Sequence, residues 1–303
     1  MQDTLGRFDR EAEQIIQSFV KALPSSPPEI LYHYTNDIGL KGILEAGQLW
    51  LTDIFQLNDP SELSHGFDIA IAALSSKVTS GTPAKKQFGQ LIADCFERMG
   101  IQNSAQFFVC AFSSCGDDLG QWRAYADNGR GYALGFDGRA LEKAFFGSGD
   151  ADTFPISYGD AELKKMNAAV IDAYLNCVEL DMILQSGASI SDIADLCTHL
   201  TMYMLHAAIF FKHKAYENEK EYRFLQTYRA GRPISGLKQR PRRYSLIPYT
   251  EFEWKRAAPT ALKTLIVGPS DQKRAGEFAN DCLRLTHTQG VSLAYSPIPY
   301  RAM

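Results

Sequence analysis

Residues 31–62, LYHYTNDIGLKGILEAGQLWLTDIFQLNDPSE, constrain the fold of this chain more tightly than any other stretch. Residues 31–35 are a short apolar and aromatic run of β-type composition that carries one histidine, His33. Asn36 and Asp37 are helix-capping residues, and Ile38, Leu40, Ile43 and Leu44 follow at helical spacing up to Gly47. Residues 49–51 read as a second strand. Residues 58–61 turn the chain into another helix, with Ser61 as its N-cap. A strand, a short helix and a return strand make a pocket wall. In a period-2 strand Tyr32 and Tyr34 face one side, so His33 and Thr35 look into a cleft on the other.

The rest of the chain supplies alternating short strands and longer helices. Residues 5–23 form an amphipathic helix, with Phe8, Ile15, Phe19 and Leu23 on one stripe, and 24–28 end it at three prolines. Helices are expected at 61–76, 85–99 and 119–125, strands at 107–112 and 132–136. Residues 160–184 and 192–216 read as the longest helices and as a helical insertion in a sheet. Strands at 221–227, 264–267 and 291–295 and a helix at 271–286 complete the chain. Short strands unevenly interleaved with helices argue for an α+β fold, taken here as one domain over residues 1–303.

Composition excludes several classes of function. A hydrophobic fraction of 45 % with 22 % charged residues is globular usage. The net charge of −4 argues against binding polyanions through the field of the whole molecule. No apolar run reaches the roughly 18 residues of a membrane helix, and residues 1–10, MQDTLGRFDR, do not read as a secretory signal. Six scattered cysteines without a C-x-x-C pair read as thiols of a reducing cytoplasm.

Four clusters are candidates for chemistry, each with a plainer alternative. His33 is either a satisfied rim group or a cleft ligand. In a strand, Glu219, Glu221 and Arg223 share one face and Tyr222 and Phe224 the other, which makes either a solvated charged edge or a pair of carboxylates aimed at one place. Trp122 and Tyr125 are i, i+3 neighbours on a helix, either core or an aromatic wall for a flat ligand, with Arg123 beside them for a phosphate or carboxylate. Asn58 and Glu62 rank second, because a helix-starting turn explains most of that motif. His199, His206 and His213 recur every seven residues, roughly 10 Å apart on a straight helix and too far to share a metal. Arg229, Arg232, Lys238, Arg240, Arg242 and Arg243 fall in a stretch with no acid between Tyr222 and Thr250. A solvated loop is the default reading there, a phosphate-rich partner the minority one.

Together, LYHYT, LNDPSE, CAFSSCGDDLGQWRAYADNGRGYALGFD, ENEKEYRF, IVGP and SPIPYR resemble a bacterial family of domains of unknown function, over roughly residues 30–301. More distantly, a His-bearing strand followed by a helix and G-x-L is similar to the opening of the ADP-ribosyltransferase superfamily. That resemblance implies a split β-sheet core with flanking helices, and an NAD cleft lined by three motifs. His33 matches the first motif, with Tyr34 and Thr35 as neighbours. Ser113 matches a second-motif hydroxyl, with Tyr125 or Trp122 as stacking aromatic and Arg123 nearby. Glu221 matches the glutamate that binds the reacting ribose, and Glu219 the earlier Glu of E-x-E. The resemblance implies NAD as substrate, no metal, and transfer of ADP-ribose to an unidentified protein or nucleic-acid acceptor or to water. The alternatives are a nucleotide-binding regulatory module without turnover and a hydrolase using the paired glutamates.

Overall fold

A computed structural model of the protein describes residues 2–24, 26–57, 61–79, 82–83, 86–87, 90, 105–147, 151–177, 190–229, 233–242 and 244–302. Asn58, Cys95, Arg232, Arg243, most of the helix expected over 85–99 and the side chain of Glu62 lie outside these.

In chain order, α1 (Gln2–Ala22) turns Phe8, Ala12 and Ile16 inward. β1 (Ile30–Thr35) leads into α2 (Asp37–Ala46), whose first turn is capped by Asn36 Oδ1 accepting from the Gly39 amide at 2.9 Å. Gly47 closes α2 at φ 66°, a conformation glycine adopts without a Cβ clash. β2 (Leu49–Asp53) and α3 (Ser61–Thr79) follow. Next come β3 (Ala105–Ser113), α4 (Leu119–Tyr125), β4 (Tyr132–Asp137) and α5 (Gly138–Phe146). β5 (Ala151–Pro155) and the short β6 (Ser157–Tyr158) precede α6 (Asp160–Cys177) and α7 (Ile190–Ile209). β7 (Phe211–Lys212), a 3-10 turn (Lys214–Glu219) and β8 (Glu221–Arg229) carry the E-x-E motif. The chain ends with β9 (Lys238–Arg242), β10 (Ser245–Phe252), α8 (Trp254–Ala257), β11 (Leu262–Val267), α9 (Gln272–Leu285) and β12 (Ser292–Tyr295).

The described strands, mostly antiparallel, form one large mixed sheet and a separate β6–β7 pair, consistent with α+β. β3 is its branch point. Along one edge β3 pairs with β8 over its whole length, from Ala105↔Arg229 to Ser113↔Glu221. Along the other it meets β1 only at Tyr32↔Ser113 and β2 only at Thr52↔Val109 and Asp53↔Phe108. Between those two contacts β1 and β2 diverge, and 110–112 have no ladder partner on that edge. A buried strand left with free carbonyls must satisfy them otherwise, and the cleft described below opens at this gap.

Two large cores cover the sheet. On one face α1, α3, α6 and α7 pack together over Phe107, Val109, Phe154 and Leu225. On the other, Phe108, Cys110, Phe112, Tyr222 and Phe224 meet Phe136, Phe145 and Trp254. The alternation along β8 is therefore as the sequence implies, with Tyr222 and Phe224 in one core and Arg223 and Leu225 on the opposite face.

Three expectations change. Residues 210–216 leave the helix, because Phe211 and Lys212 pair with Ser157 and Tyr158 as β7. His213 consequently caps the 3-10 turn instead of sharing a helix face with His199 and His206. Residues 238–242, expected as solvated loop, form strand β9 at the end of the sheet, paired with β10.

Candidate functional site

His33 sits where β1 leaves β3. Its Nδ1 lies 3.0 Å from the carbonyl oxygen of Ala111, one of the unladdered positions. A carbonyl only accepts, so Nδ1 carries the proton and donates. Burial pushes the imidazole below the ordinary histidine range, opposed by the Ala111 hydrogen bond. The neutral ring therefore presents Nε2 as an acceptor. The ring also contacts Phe112 edge-on at 5.7 Å, and its position explains why a histidine can occupy the gap: it completes the hydrogen bonding of β3 with a side chain.

Glu219 and Glu221 reach the same cleft from β3's other edge. Glu219 ends the 3-10 turn and is not part of the strand, since Lys220 adopts φ 45° and only then does β8 begin. The turn is tied to β3 by the Ser113 hydroxyl, which donates to the Glu219 carbonyl at 2.7 Å and accepts from the Cys115 amide at 3.1 Å. Further ties are Ser114 N–H to the Lys220 carbonyl at 3.0 Å and Glu221 N–H to the Tyr158 hydroxyl at 2.7 Å.

The two carboxylates belong to one charged cluster. Glu221 accepts from Arg223 Nε at 2.6 Å and Nη2 at 3.3 Å, and from Lys212 Nζ at 3.1 Å. Glu219 accepts from Lys212 Nζ at 2.6 Å and from the Tyr125 hydroxyl at 3.0 Å. The Arg223 and Glu221 side chains are 1 % and 6 % exposed, that of Glu219 13 %. Burial works against the charge on Glu221, but Arg223 and Lys212 overcome it and hold its carboxyl below the usual range. Burial and the neighbouring Glu219 push the Tyr125 phenol up, so it remains a donor. Two acids and two bases cancel formally, and Glu219 is the more accessible carboxylate.

The cleft encloses about 340 Å³ and is lined by Tyr32, His33, Tyr34, Ser113, Tyr125, Glu219 and Glu221, among others. That is near the lower end of the roughly 300–1,000 Å³ of small-molecule sites. His33, Ser113, Tyr125, Glu219 and Glu221 are thus brought together from four segments. Three expected site residues are not. Trp122 is fully buried against Tyr34 and donates Nε1–H to Asp117 at 2.7 Å, so it is core and not a stacking wall. Arg123 points to solvent away from the cleft lining. Thr35 lies outside the cleft with its hydroxyl against Gly39. Tyr34 lines the cleft, but its hydroxyl is used locally, donating to the Cys115 carbonyl at 2.8 Å and accepting from the Asp118 amide at 3.2 Å.

Residues 121–224 match the model of a family described as a protein of unknown function, DUF2971. The matched stretch contains Tyr125, Lys212, Glu219, Glu221 and Arg223, the charged end of the cleft, whereas His33 lies before it. No curated protein and no solved structure matches the chain.

Sequence reasoning missed Lys212, Trp50, Thr52 and the inward placement of Arg240 and Arg242, all of which line the cleft. Lys212 had a signal, because it is the first charge after the apolar run that ends in Phe210-Phe211. The arginines were visible as an acid-free stretch, but nothing in the chain said that β9 would pair with β10 and that Arg240 would reach across it to Thr52 of β2.

Proposed function

We propose that this cleft binds NAD and that the protein is an ADP-ribosyltransferase-like enzyme that cleaves the nicotinamide–ribose bond. The observation that supports the reading is the meeting of His33, Tyr125, Glu219 and Glu221 at the split of the sheet, although they are up to 188 positions apart in the chain (221 − 33). Cleavage of that bond develops positive charge on the ribose. A carboxylate already fixed and ionised favours that charge over the neutral ribose, without reorganising at the moment of reaction. Arg223 and Lys212 keep Glu221 ionised and immobile. Glu219, more exposed and held by Tyr125, is placed to orient the acceptor. The neutral His33 offers Nε2 to a ribose hydroxyl, a contact made equally before and during reaction, and so a binding contact.

One observation favours a second reading. Both oxygens of Glu221 already accept from cations, so the charge it offers a ribosyl cation is partly spent on Arg223 and Lys212. A nucleotide-binding module without turnover fits that feature.

Nicotinamide release from NAD by the purified protein decides between the two. The enzyme reading expects release that falls in Glu221→Gln with KM little changed, and a KM-type loss in His33→Ala. Binding of NAD without release by the wild type supports the module, and neither binding nor release overturns both.

A further inference from the structure

The end of the cleft opposite Lys212 is built differently. β9 runs along β10, and Arg240 and Arg242, two residues apart, face the same side. Arg240 is half-buried. Its guanidinium lies over the Trp50 ring, with 5.4 Å from Cζ to the ring centroid. Its Nη2 donates to the Thr52 hydroxyl at 3.3 Å, while its Nε–H is buried with no hydrogen-bond partner. Arg242 Nη1 donates to the Gln56 carbonyl at 3.1 Å. Trp50 is 42 % exposed and packs on Tyr249 at 4.5 Å between ring centroids. No carboxylate among the described residues forms an ion pair with Arg240. The nearest arrangement of that kind on β9, Lys238 with Glu251 at 2.7 Å, belongs to the neighbouring residue pair.

Burying a guanidinium beside a second one, with a donor left unused, is unfavourable unless something else satisfies it. The planar fork of arginine matches the oxygens of a phosphate, and an aromatic ring beneath it holds it in place. We infer that Arg240 and Arg242, with Trp50 as the wall, form a phosphate subsite at the mouth of the cleft. Its occupant is a phosphate ester that enters the cleft with its sugar toward His33. The depressed basicity of Arg240, from burial first and from Arg242 second, is in keeping with a guanidinium held beside a second positive charge. This assignment rests on the reading of the cleft as a nucleotide site, but it concerns residues that no motif of that reading names. The same oxygens occur in the diphosphate of a dinucleotide and in the backbone of a nucleic acid, and the experiment separates them.

Affinities of the wild type, Arg240→Gln, Arg240→Lys and Arg242→Gln are measured by calorimetry for ADP-ribose, inorganic pyrophosphate, nicotinamide riboside and a single-stranded oligonucleotide. Loss of a charged hydrogen bond of this type corresponds to roughly 10-fold or more. The expected result is ADP-ribose and pyrophosphate weakened at least ~10-fold in Arg240→Gln, less in Arg242→Gln, with nicotinamide riboside unaffected. Arg240→Lys keeps the charge but not the fork and falls between. Unchanged ADP-ribose affinity in Arg240→Gln overturns the subsite and leaves the cleft reading standing. Oligonucleotide binding that depends on Arg240, with no ADP-ribose binding, supports the subsite but identifies its source as a polynucleotide and overturns the dinucleotide reading. Wild-type protein that binds none of the four overturns both. Retained thermal denaturation midpoints in the variants identify a loss of binding as local.

Discussion

At one end of the cleft Lys212 and Arg223 lie against Glu219 and Glu221, and the charges are matched within the protein. At the other, Arg240 lies beside Arg242 with its Nε–H unused. The first end is fixed by its own pairing. The geometry of Glu221 does not await a ligand, and its neighbours hold it ionised over the whole neutral range. The second end sets two guanidinium groups side by side, and on the proposed reading an anion completes it. On the proposed reading, one cleft thereby separates two tasks: a rigid carboxylate pair at which charge develops, and a basic mouth that draws in and orients the phosphates.

The largest effect that tests this contrast is on stability. Arg223→Met leaves Glu221 buried with one cation fewer and is expected to cost about 3–5 kcal/mol, read by urea denaturation. Pairing it with Glu221→Gln restores part of the loss, because the uncompensated charge is then gone. A cost below ~1 kcal/mol would mean that the cluster is hydrated and not rigid.

The next effect is on turnover. Glu221→Gln is expected to reduce kcat for nicotinamide release at least ~100-fold with a small change in KM, the scale of one preorganised electrostatic group. Glu219→Gln spares hydrolysis and damages transfer to an acceptor that must lose a proton. Equal, purely KM-type losses for Glu221→Gln and His33→Ala would turn Glu221 into a ligand clamp.

A smaller effect lies in the pH dependence of folding, and it locates the titrating groups. His206, on α7, stacks on Phe210 with 5.6 Å between centroids, and burial lowers its pKa from 6.5 to about 4. Above about pH 6.5 both folded and unfolded states hold it neutral. As pH falls the unfolded chain takes up the proton first, so stability declines until the folded state protonates near pH 4. The expected loss is about 2 kcal/mol, and His206→Phe should remove that share of the slope in denaturation curves measured from pH 7 to pH 4.5, leaving the share of His33, which burial also lowers. Glu221 acts in the opposite sense of charge and in a lower window. Its folded pKa is depressed below 4.5, so its stabilisation is present above that value and lost as pH falls through the folded pKa. A slope between pH 7 and 5 that is unchanged in His206→Phe would overturn this assignment.

The smallest expected effect is at the basic end. Arg240→Gln should change stability by no more than about 0.5 kcal/mol, and in the stabilising direction if relief of the Arg242 repulsion dominates. A loss comparable to that of Arg223→Met would make Arg240 a structural residue and remove the contrast.

Local pattern made much of the fold legible. The capping at Asn36, the glycine stop at Gly47 and the alternation of Tyr222, Arg223 and Phe224 are short-range consequences of backbone and side-chain type, and each appears where the sequence placed it. His33 and Glu221 were readable because each stands out against an aromatic strand. The misread residues depend on contacts between distant segments. Trp122 and Tyr125 look alike on a helix, yet only packing against Tyr34 decides that the first is core and the second faces the cleft. Residues 210–216 hold no glycine or proline to stop a helix, and the pairing of Phe211 and Lys212 with Ser157 and Tyr158 ends it. The same holds for Arg240, whose role depends on which strand β10 pairs with.

A crystal structure of the protein with ADP-ribose tests the division of the cleft most directly. The expected result is phosphate oxygens within hydrogen-bonding distance of Arg240 and Arg242, a ribose hydroxyl on Nε2 of His33, and the Glu219–Lys212–Glu221–Arg223 cluster unmoved. ADP-ribose bound elsewhere, or bound in the cleft with its phosphates away from Arg240 and the charged cluster rearranged around it, would contradict it.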